Sequence, residues 1–185
     1  SLPMESKFKP KGEYIVFVGT IEPRKNVDCL LDAFEDFSKE FPSVKLVIIG
    51  KNGWLSENIV TRIEKTPNVI WTKYILDGEK QALVKDAKFF VYPSLYEGFG
   101  LPVLEAMALG VPVVTSPGSS LKEISGNAAI HPNTRHTAQL VWAMKALYSS
   151  PLVMEDMKQK GRLRAAEFSW DQAARETVEI YHRAD

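Results

Sequence analysis

Short apolar runs alternate along this chain with longer stretches in which apolar residues recur at helical spacing. The apolar runs are rich in β-branched and aromatic residues, and they predict about six buried strands. These are Tyr14–Val18, Val44–Ile49, Val69–Trp71, Phe89–Tyr92, Val111–Thr115 and Ala128–Ile130. The clearest amphipathic helix begins at Val27 and continues to Phe41. Strands that alternate with helices predict an α/β fold with a parallel sheet and right-handed crossovers.

Polar residues mark the expected starts of several helices. Asn26, Ser56 and Asp77 each precede a helical stretch and are predicted N-caps, because their side-chain oxygens can accept a free N–H of the first turn. Ser169 and Gln172 have the spacing of a capping box. These signals predict where three internal helices and the last helix begin.

After His131 the pattern is helical only. Helices are predicted over 134–148 and 152–168, and a last one starts at Ser169. The last helix has an apolar stripe that includes Trp170, Val178 and Tyr181. These three helices are expected to cover the sheet and end the domain.

Loops that follow the predicted strands contain most of the residues that suggest chemistry. In a parallel sheet these loops meet at one edge, where ligands bind beyond the carboxyl ends of the strands. They are Gly19–Asn26, Gly50–Gly53, Tyr74–Asp77, Ser94–Gly100 and Ser116–Ser120. The sequence therefore predicts a ligand site at this edge.

The loop after the fourth strand leads into a helix that begins near Pro102. Gly98 and Gly100 let the backbone approach a ligand closely, since they lack a Cβ. The following helix N-terminus favours an anion such as phosphate. Glu97 and Glu105 flank this site with seven residues between them. Carboxylates beside a phosphate site suit hydroxyl groups, so the pattern indicates a nucleotide sugar.

The segment from Glu97 to Glu105, EGFGLPVLE, resembles the E-x7-E signature of retaining glycosyltransferases with the GT-B fold. The longer segment PSLYEGFGLPVLEAMALGVPVVTS is similar to the group 1, or family 4, glycosyltransferases. The resemblance extends from Tyr14 to about Tyr181. It implies a Rossmann-like, three-layer αβα domain that binds the donor and forms the C-terminal half of such an enzyme. An ordinary βαβ unit with a glycine-rich loop is the alternative reading.

Arg24 and Lys25 follow the first strand, at the same edge of the sheet as Ser94–Gly100, which is called the glycine loop below. Cations are disfavoured at a helix N-terminus, so their position suggests that they bind a diphosphate. The segment GTIEPRKN resembles the donor-phosphate loop of the family, with Lys25 on the family lysine. The commoner form has an arginine directly after the glycine, where this chain has Thr20. Whether Arg24 replaces that arginine is left open by the sequence.

The resemblance also assigns roles to the other loops. Glu97 is expected beside the donor sugar, and Glu105 on the ribose hydroxyls. Residues expected to bind substrate, mainly through the backbone, are Gly19, Thr20, Tyr74, Ile75, Gly98, Phe99, Gly100 and Leu101. Glu97, Lys25 and Arg24 are the expected catalytic residues. The sequence does not decide between a nucleophilic Glu97 and one that only orients the sugar and stabilises its charge.

Composition limits the partners. The chain has 23 basic and 23 acidic residues, which argues against a nucleic-acid-binding surface. Its single cysteine, Cys29, excludes an internal disulfide and fits a cytoplasmic location. Any membrane contact is expected only through the half of the enzyme that is missing here.

No metal or other cofactor is expected. His131, His136 and His182 lack metal-ligand spacing and are predicted to lie on the surface. No pair of aspartates flanks a single residue, so the usual motif of metal-dependent sugar transfer is absent from the sequence.

Residues 1–13 are predicted to be a polar linker or cloning remnant, and 14–185 the nucleotide-sugar-binding domain. The acceptor-binding half would precede this domain, so the chain alone is expected to be inactive. The resemblance also implies exposed apolar surface on the last helix, which in the family tends to cross back towards that half. The expected activity is hexose transfer from a nucleotide-diphosphate sugar, with mannose suggested by the GTIEPRKN variant. A nucleotide-sugar epimerase of the same fold and a binding module without chemistry are the two alternatives.

Overall fold

A computed structural model of the chain describes residues 6–184. Six parallel strands form a single sheet in the order β3-β2-β1-β4-β5-β6. The strands are β1 (Tyr14–Val18), β2 (Lys45–Ile49), β3 (Val69–Lys73), β4 (Phe90–Tyr92), β5 (Val113–Thr115) and β6 (Ala129–Ile130). The predicted Rossmann-like α/β fold is confirmed.

Helices connect and flank the strands. They are α1 (Val27–Ser38), α2 (Glu57–Lys65), α3 (Asp77–Lys85), α4 (Leu101–Ala108), α5 (Ser120–Ser125), α6 (Thr137–Tyr148), α7 (Pro151–Ala166) and α8 (Trp170–Ala184). A short 3-10 turn, Pro23–Lys25, lies between β1 and α1.

The strand order reverses between β1 and β4. From β1 the chain moves outward to β2 and β3, and it then returns to place β4 on the other side of β1. Because the connections after β1 and β4 leave in opposite directions, a crevice forms between them at the carboxyl edge. This topology brings the GTIEPRKN loop against the glycine loop, although the two are about 70 residues apart in sequence.

The core lies on both faces of the sheet, which explains why the strands are continuous apolar runs. The side chains of Ile15, Val16 and Phe17 in β1 are fully buried. Helix α1 packs against α2 and α6, whereas α4 packs against α5 and α7. Phe8 also packs against this core, before the first strand. The division of the chain at residue 14 stays a prediction.

Asn26 and Ser56 occupy the predicted N-cap positions, but neither side chain makes a capping bond, and the prediction for Asp77 is wrong. Asn26 precedes α1 but has a left-handed backbone (φ 57°), and its side chain makes no capping bond. The Asn26 amide instead donates to the carbonyl of Thr134 at 2.8 Å. Ser56 likewise caps no N–H, and Asp77 is the first helical residue rather than the cap. In each case the side chain or backbone has another partner that the local sequence does not reveal.

The first half of the predicted capping box is present, because the Gln172 N–H donates to Ser169 Oγ at 3.1 Å.

Helix α8, however, does not cover the sheet as predicted. Its apolar side chains face outward, with Trp170 79% and Tyr181 70% exposed. Among residues 6–184, no helix has the length and apolarity needed to cross a membrane.

His131 is half-buried, which contradicts its predicted surface position. Its Nε2 lies 2.8 Å from Ser125 Oγ. Burial, with a smaller effect from Lys122, lowers the pKa of His131. As pH falls below about 6.5, the unfolded chain therefore binds a proton before the folded one does. We expect the free energy of unfolding to decrease as pH falls through this value towards the folded-state pKa.

Urea unfolding at about pH 7 and about pH 5.5 would measure this loss of stability. The His131→Gln variant should lose less stability between the two pH values. His136→Gln, at an exposed position, is the control and should behave as the wild type. Equal pH dependence in the wild type and His131→Gln would contradict the assignment.

Candidate active site

The loops after β1 and β4 are joined by hydrogen bonds at the crevice. The Leu95 N–H donates to the Arg24 carbonyl at 2.8 Å. The Asn26 amide reaches the Pro93 carbonyl at 3.3 Å. The two loops therefore form one structural unit.

Glu97 lies at the centre of this unit and is buried, with 8% of its surface exposed. Its Oε1 accepts three hydrogen bonds, from Lys25 Nζ at 2.6 Å, Ser94 Oγ at 2.5 Å and Tyr92 Oη at 3.0 Å. Its Oε2 lies 3.0 Å from Arg24 Nη1. The structure thus brings all three predicted catalytic residues into direct contact.

The surroundings keep Glu97 ionised. Burial raises the pKa of this carboxyl, but hydrogen bonds from Lys25, Ser94 and Arg24 outweigh burial and hold the pKa below its usual value. At neutral pH the site therefore contains a fixed negative charge.

Arg24 bridges two carboxylates. Its Nη1 also donates to the Tyr96 carbonyl at 3.2 Å, and its Nη2 lies 2.6 Å from Oε1 of the buried Glu22. That Glu22 oxygen has no well-directed hydrogen bond in the structure, so the contact is mainly electrostatic. The other oxygen of Glu22 accepts from Trp54 Nε1 at 2.9 Å. Arg24 is therefore fixed from both sides while 42% of its side chain remains exposed.

The glycine loop is held in place by two serines at the start of α5. The Glu97 N–H donates to Ser119 Oγ at 3.0 Å, and Ser120 Oγ donates to the Phe99 carbonyl at 2.8 Å. Gly100 has φ 102°, and a Cβ there would lie 2.7 Å from a Leu121 methyl carbon. A Cβ on Gly98 would meet nothing within 4 Å. Gly100 is therefore required by internal packing, whereas Gly98 faces open space.

Phe99 and Leu101 continue this surface at the start of α4, where they are 48% and 43% exposed. Helix α4 begins at Leu101, so Pro102 is its second residue rather than its first. The Phe99 ring lies edge-on to Phe168, with centroids 6.2 Å apart. Phe99 therefore extends from the loop towards the C-terminal helices.

Glu105 lies one turn into α4 and is exposed. Its Oε2 is 3.4 Å from Lys80 Nζ. It borders a cleft of about 210 Å³ between α3 and α4, and a groove of about 530 Å³ between α4 and α8. It therefore has room for a ligand hydroxyl beside its carboxylate.

The remaining predicted residues lie around the same edge. Gly19 donates its N–H to the Ile49 carbonyl at 2.8 Å, so that donor is already used within the sheet. Thr20 follows it, half-buried. Tyr74 is 74% exposed at the end of β3, whereas Ile75 is in the core with 8% exposed. Any ligand contact of Ile75 would thus be through its backbone.

Sequence reasoning missed four side chains that hold the predicted residues in place, namely Glu22, Trp54, Tyr92 and Ser94. Glu22 and Ser94 lie within the two motif segments, two residues before Arg24 and three residues before Glu97, so their closeness to charged candidates is a usable signal. Tyr92 ends an apolar run, which predicts only a strand position for it. Trp54 is 32 residues from its partner Glu22, and no sequence signal indicated that contact.

Within residues 6–184, no cluster of three or more histidine, cysteine, aspartate or glutamate side chains is arranged to hold a metal ion. The expectation of a metal-free site stays a prediction.

Two mannosyltransferases are similar to this chain in sequence. O-antigen chain mannosyltransferase B of Escherichia coli is 32% identical over 188 residues, covering 97% of this chain and 49% of that protein. MMP α-(1→4)-mannosyltransferase of Mycolicibacterium hassiacum is 34% identical over 181 residues, covering 94% of this chain and 44% of that protein. The chain thus spans about half the length of these curated relatives.

Two solved structures share the fold. Sucrose-phosphate synthase from Thermosynechococcus elongatus superposes with a TM-score of 0.78 at 24% identity, over 94% of this chain and 46% of that one. S. aureus TarM, in complex with fondaparinux, α-GlcNAc-glycerol and UDP, gives 0.79 at 22% identity, over 96% of this chain and 38% of that one. At these identities the likeness concerns the fold alone.

The family sequence model described as "Glycosyl transferases group 1" matches residues 2–164. This range includes both loops of the crevice and the segment from Glu97 to Glu105. The chain therefore belongs to the group 1 glycosyltransferases.

Proposed function

We propose that this chain is the donor-binding and catalytic half of a retaining glycosyltransferase, which moves a hexose from a nucleotide-diphosphate sugar to an acceptor hydroxyl. The observation that carries the proposal is the convergence of Arg24 and Lys25, from the β1 loop, on Glu97 in the β4 loop. A cation pair beside a fixed carboxylate suits a substrate in which a diphosphate adjoins a sugar.

Arg24 is the cation that a diphosphate reaches first. Its side chain is 42% exposed, whereas that of Lys25 is 7% exposed. Within the protein itself, the charges of Arg24 and Lys25 are balanced by those of Glu22 and Glu97. The dipole of α4 adds a positive field at its N-terminus, beside this balanced cluster. This arrangement supports Arg24 as the replacement for the arginine that the family places at Thr20.

Glu97 acts as an electrostatic and orienting group in this proposal. Its Oε1 is occupied by three donors, which reduces its strength as a nucleophile. Its negative charge stabilises the positive charge that develops on the sugar as the bond from C1 to the phosphate oxygen breaks. The acceptor oxygen bonds to C1 on the same face, and its proton passes to the leaving phosphate. Retention then needs no protein nucleophile.

Mannose is the proposed sugar, because two relatives at 32% and 34% identity are mannosyltransferases. A further half, which binds the acceptor, is proposed because the relatives are about twice as long, and the family resemblance is the reason for proposing that it precedes this domain. The exposed apolar face of α8 would pack against that half. Closure of the two halves excludes water and aligns the reactants, which is worth about 7–11 kcal/mol. These residues alone are therefore proposed to transfer no sugar at a useful rate.

The Lys25→Ala variant is expected to bind nucleoside diphosphates more weakly by about 1.5–3 kcal/mol, the range for hydrogen bonds to charged groups. The reason is that Lys25 supplies positive charge next to the diphosphate and also holds Glu97. Calorimetric titration with UDP, GDP and ADP, and with their hexose conjugates, measures the difference. Lys85→Ala, an exposed lysine at the end of α3, is the matched control.

Titrations with and without EDTA should agree, because the proposal assigns the phosphate charge to Arg24, Lys25 and the α4 N-terminus. A large loss on chelation would overturn the metal-free proposal. Absence of binding to every nucleotide would overturn donor binding itself. Release of a free sugar isomer without acceptor would indicate an epimerase instead.

A further inference from the structure

Tyr92 is the last residue of β4, and its hydroxyl lies between Lys25 and Glu97. Lys25 Nζ donates to Tyr92 Oη at 2.5 Å, and Tyr92 Oη donates to Glu97 Oε1 at 3.0 Å. A phenol has one O–H, so the bond from the ammonium leaves that hydrogen for the carboxylate. Lys25, Tyr92 and Glu97 thus form a closed triangle, because Lys25 also donates to Glu97 at 2.6 Å.

The sheet fixes the position of this hydroxyl. The Tyr92 ring is fully buried and stacks on Phe17 of β1 and Phe90 of β4, each with centroids 5.8 Å apart. Thr115 of β5 holds its backbone by donating to the Tyr92 carbonyl at 2.8 Å. Lys25 and Glu97, in contrast, both lie in connections outside the strands. Tyr92 is therefore the member of the triangle that is anchored in the core.

We propose that Tyr92 is a positioning residue, which transmits the rigidity of the sheet to Lys25 and Glu97 and so sets the geometry of the donor diphosphate site. The assignment rests on the proposed function. Burial, with the charge of Glu97, raises the pKa of Tyr92, so the hydroxyl stays protonated and donates at every working pH. The residue acts through its two neighbours and is not assigned a contact with substrate.

The chain contains a matched control in Tyr14. It is also a buried strand tyrosine, and its hydroxyl donates to the Leu83 carbonyl at 2.8 Å. Tyr14 is the first residue of β1, whereas Tyr92 is the last of β4. Because the strands are parallel, the two hydroxyls lie at opposite ends of these neighbouring strands. Tyr14→Phe and Tyr92→Phe should lower the melting temperature similarly, since each removes one buried hydroxyl.

The test is calorimetric titration of the 185-residue chain with whichever of UDP, GDP or ADP the wild type binds. Tyr92→Phe should raise Kd about tenfold, the effect of one charge-assisted hydrogen bond, and Tyr14→Phe should leave Kd unchanged. In a Lys25→Ala background, Tyr92→Phe should change Kd less than about twofold, because its effect on the diphosphate passes through Lys25, whereas Glu97 is assigned to the sugar. With the hexose conjugate of the same nucleotide as ligand, Tyr92→Phe should also begin to lose affinity at a higher pH than the wild type, because loss of this donor raises the pKa of Glu97, the residue assigned to the sugar.

Equal effects of the two tyrosine variants on Kd would overturn the proposal, as would full additivity of Tyr92→Phe with Lys25→Ala. If the wild type binds none of the three nucleotides, the proposed function fails first. If the wild type binds and Tyr92→Phe binds equally well, only the role of Tyr92 fails.

Discussion

Sugar transfer is expected to fall at least about a hundredfold when Glu97 is replaced by glutamine, measured in the polypeptide that includes the acceptor half. Glutamine keeps the size of the side chain but removes its charge. The developing positive charge on the sugar then has no counter-charge, and the buried Lys25 loses its main anionic partner. The loss should appear in kcat more than in KM, because the charge develops only in the transition state.

Glu105→Gln is the matched control. Glu105 is exposed, and its one described ion pair, with Lys80, is long at 3.4 Å. Its proposed partner is the ribose, which the bare nucleotide and the nucleotide sugar share. Glu105→Gln should therefore weaken both ligands similarly, whereas Glu97→Gln should weaken the nucleotide sugar more than the bare nucleotide. The reverse pattern would show that the roles of the two carboxylates are exchanged.

Gly50→Ala is expected to destabilise the domain by more than about 4 kcal/mol, beyond the usual range for single substitutions. A Cβ on Gly50 would lie 1.8 Å from the carbonyl oxygen of Gly19 and 2.6 Å from its carbonyl carbon. Both atoms belong to the backbone of the loop that follows β1, so no side-chain rotation can relieve the clash. Urea unfolding, followed by circular dichroism, would measure the loss.

Gly98→Ala is the control for this substitution. A Cβ there meets nothing within 4 Å, so stability should stay within about 0.5 kcal/mol of the wild type. The same variant should bind the nucleotide sugar more weakly, since the methyl group occupies the open space proposed for the ligand. A stable Gly50→Ala variant would mean that the loops after β1 and β2 can separate without cost.

The sequence by itself determined the secondary structure and the fold class. Parallel strands are buried on both faces, so each appears as an uninterrupted apolar run such as Tyr14–Val18. Helices buried on one face retain the helical spacing, as α1 does from Val27 onward. Both signals are local, and most predicted ends lie within two or three residues of the observed ones.

The family motifs also identified the charged residues that meet in the crevice. Glu97, Arg24 and Lys25 were named from short segments, and the structure places them in contact. Their meeting depends on one topological fact, the placement of β4 beside β1. The resemblance implied a Rossmann-like domain, whereas apolar periodicity alone does not give the strand order.

Only the tertiary structure decided the partners of these residues and the position of α8. Tyr92 and Lys25 are 67 residues apart, and Trp54 and Glu22 are 32 apart, so their contacts follow from strand order and loop packing. Likewise, the apolar stripe of α8 does not by itself identify a surface for it to pack on, because helical spacing is local and a packing partner is not. In the structure that stripe is exposed, whereas α6 packs against α1 and α7 packs against α4.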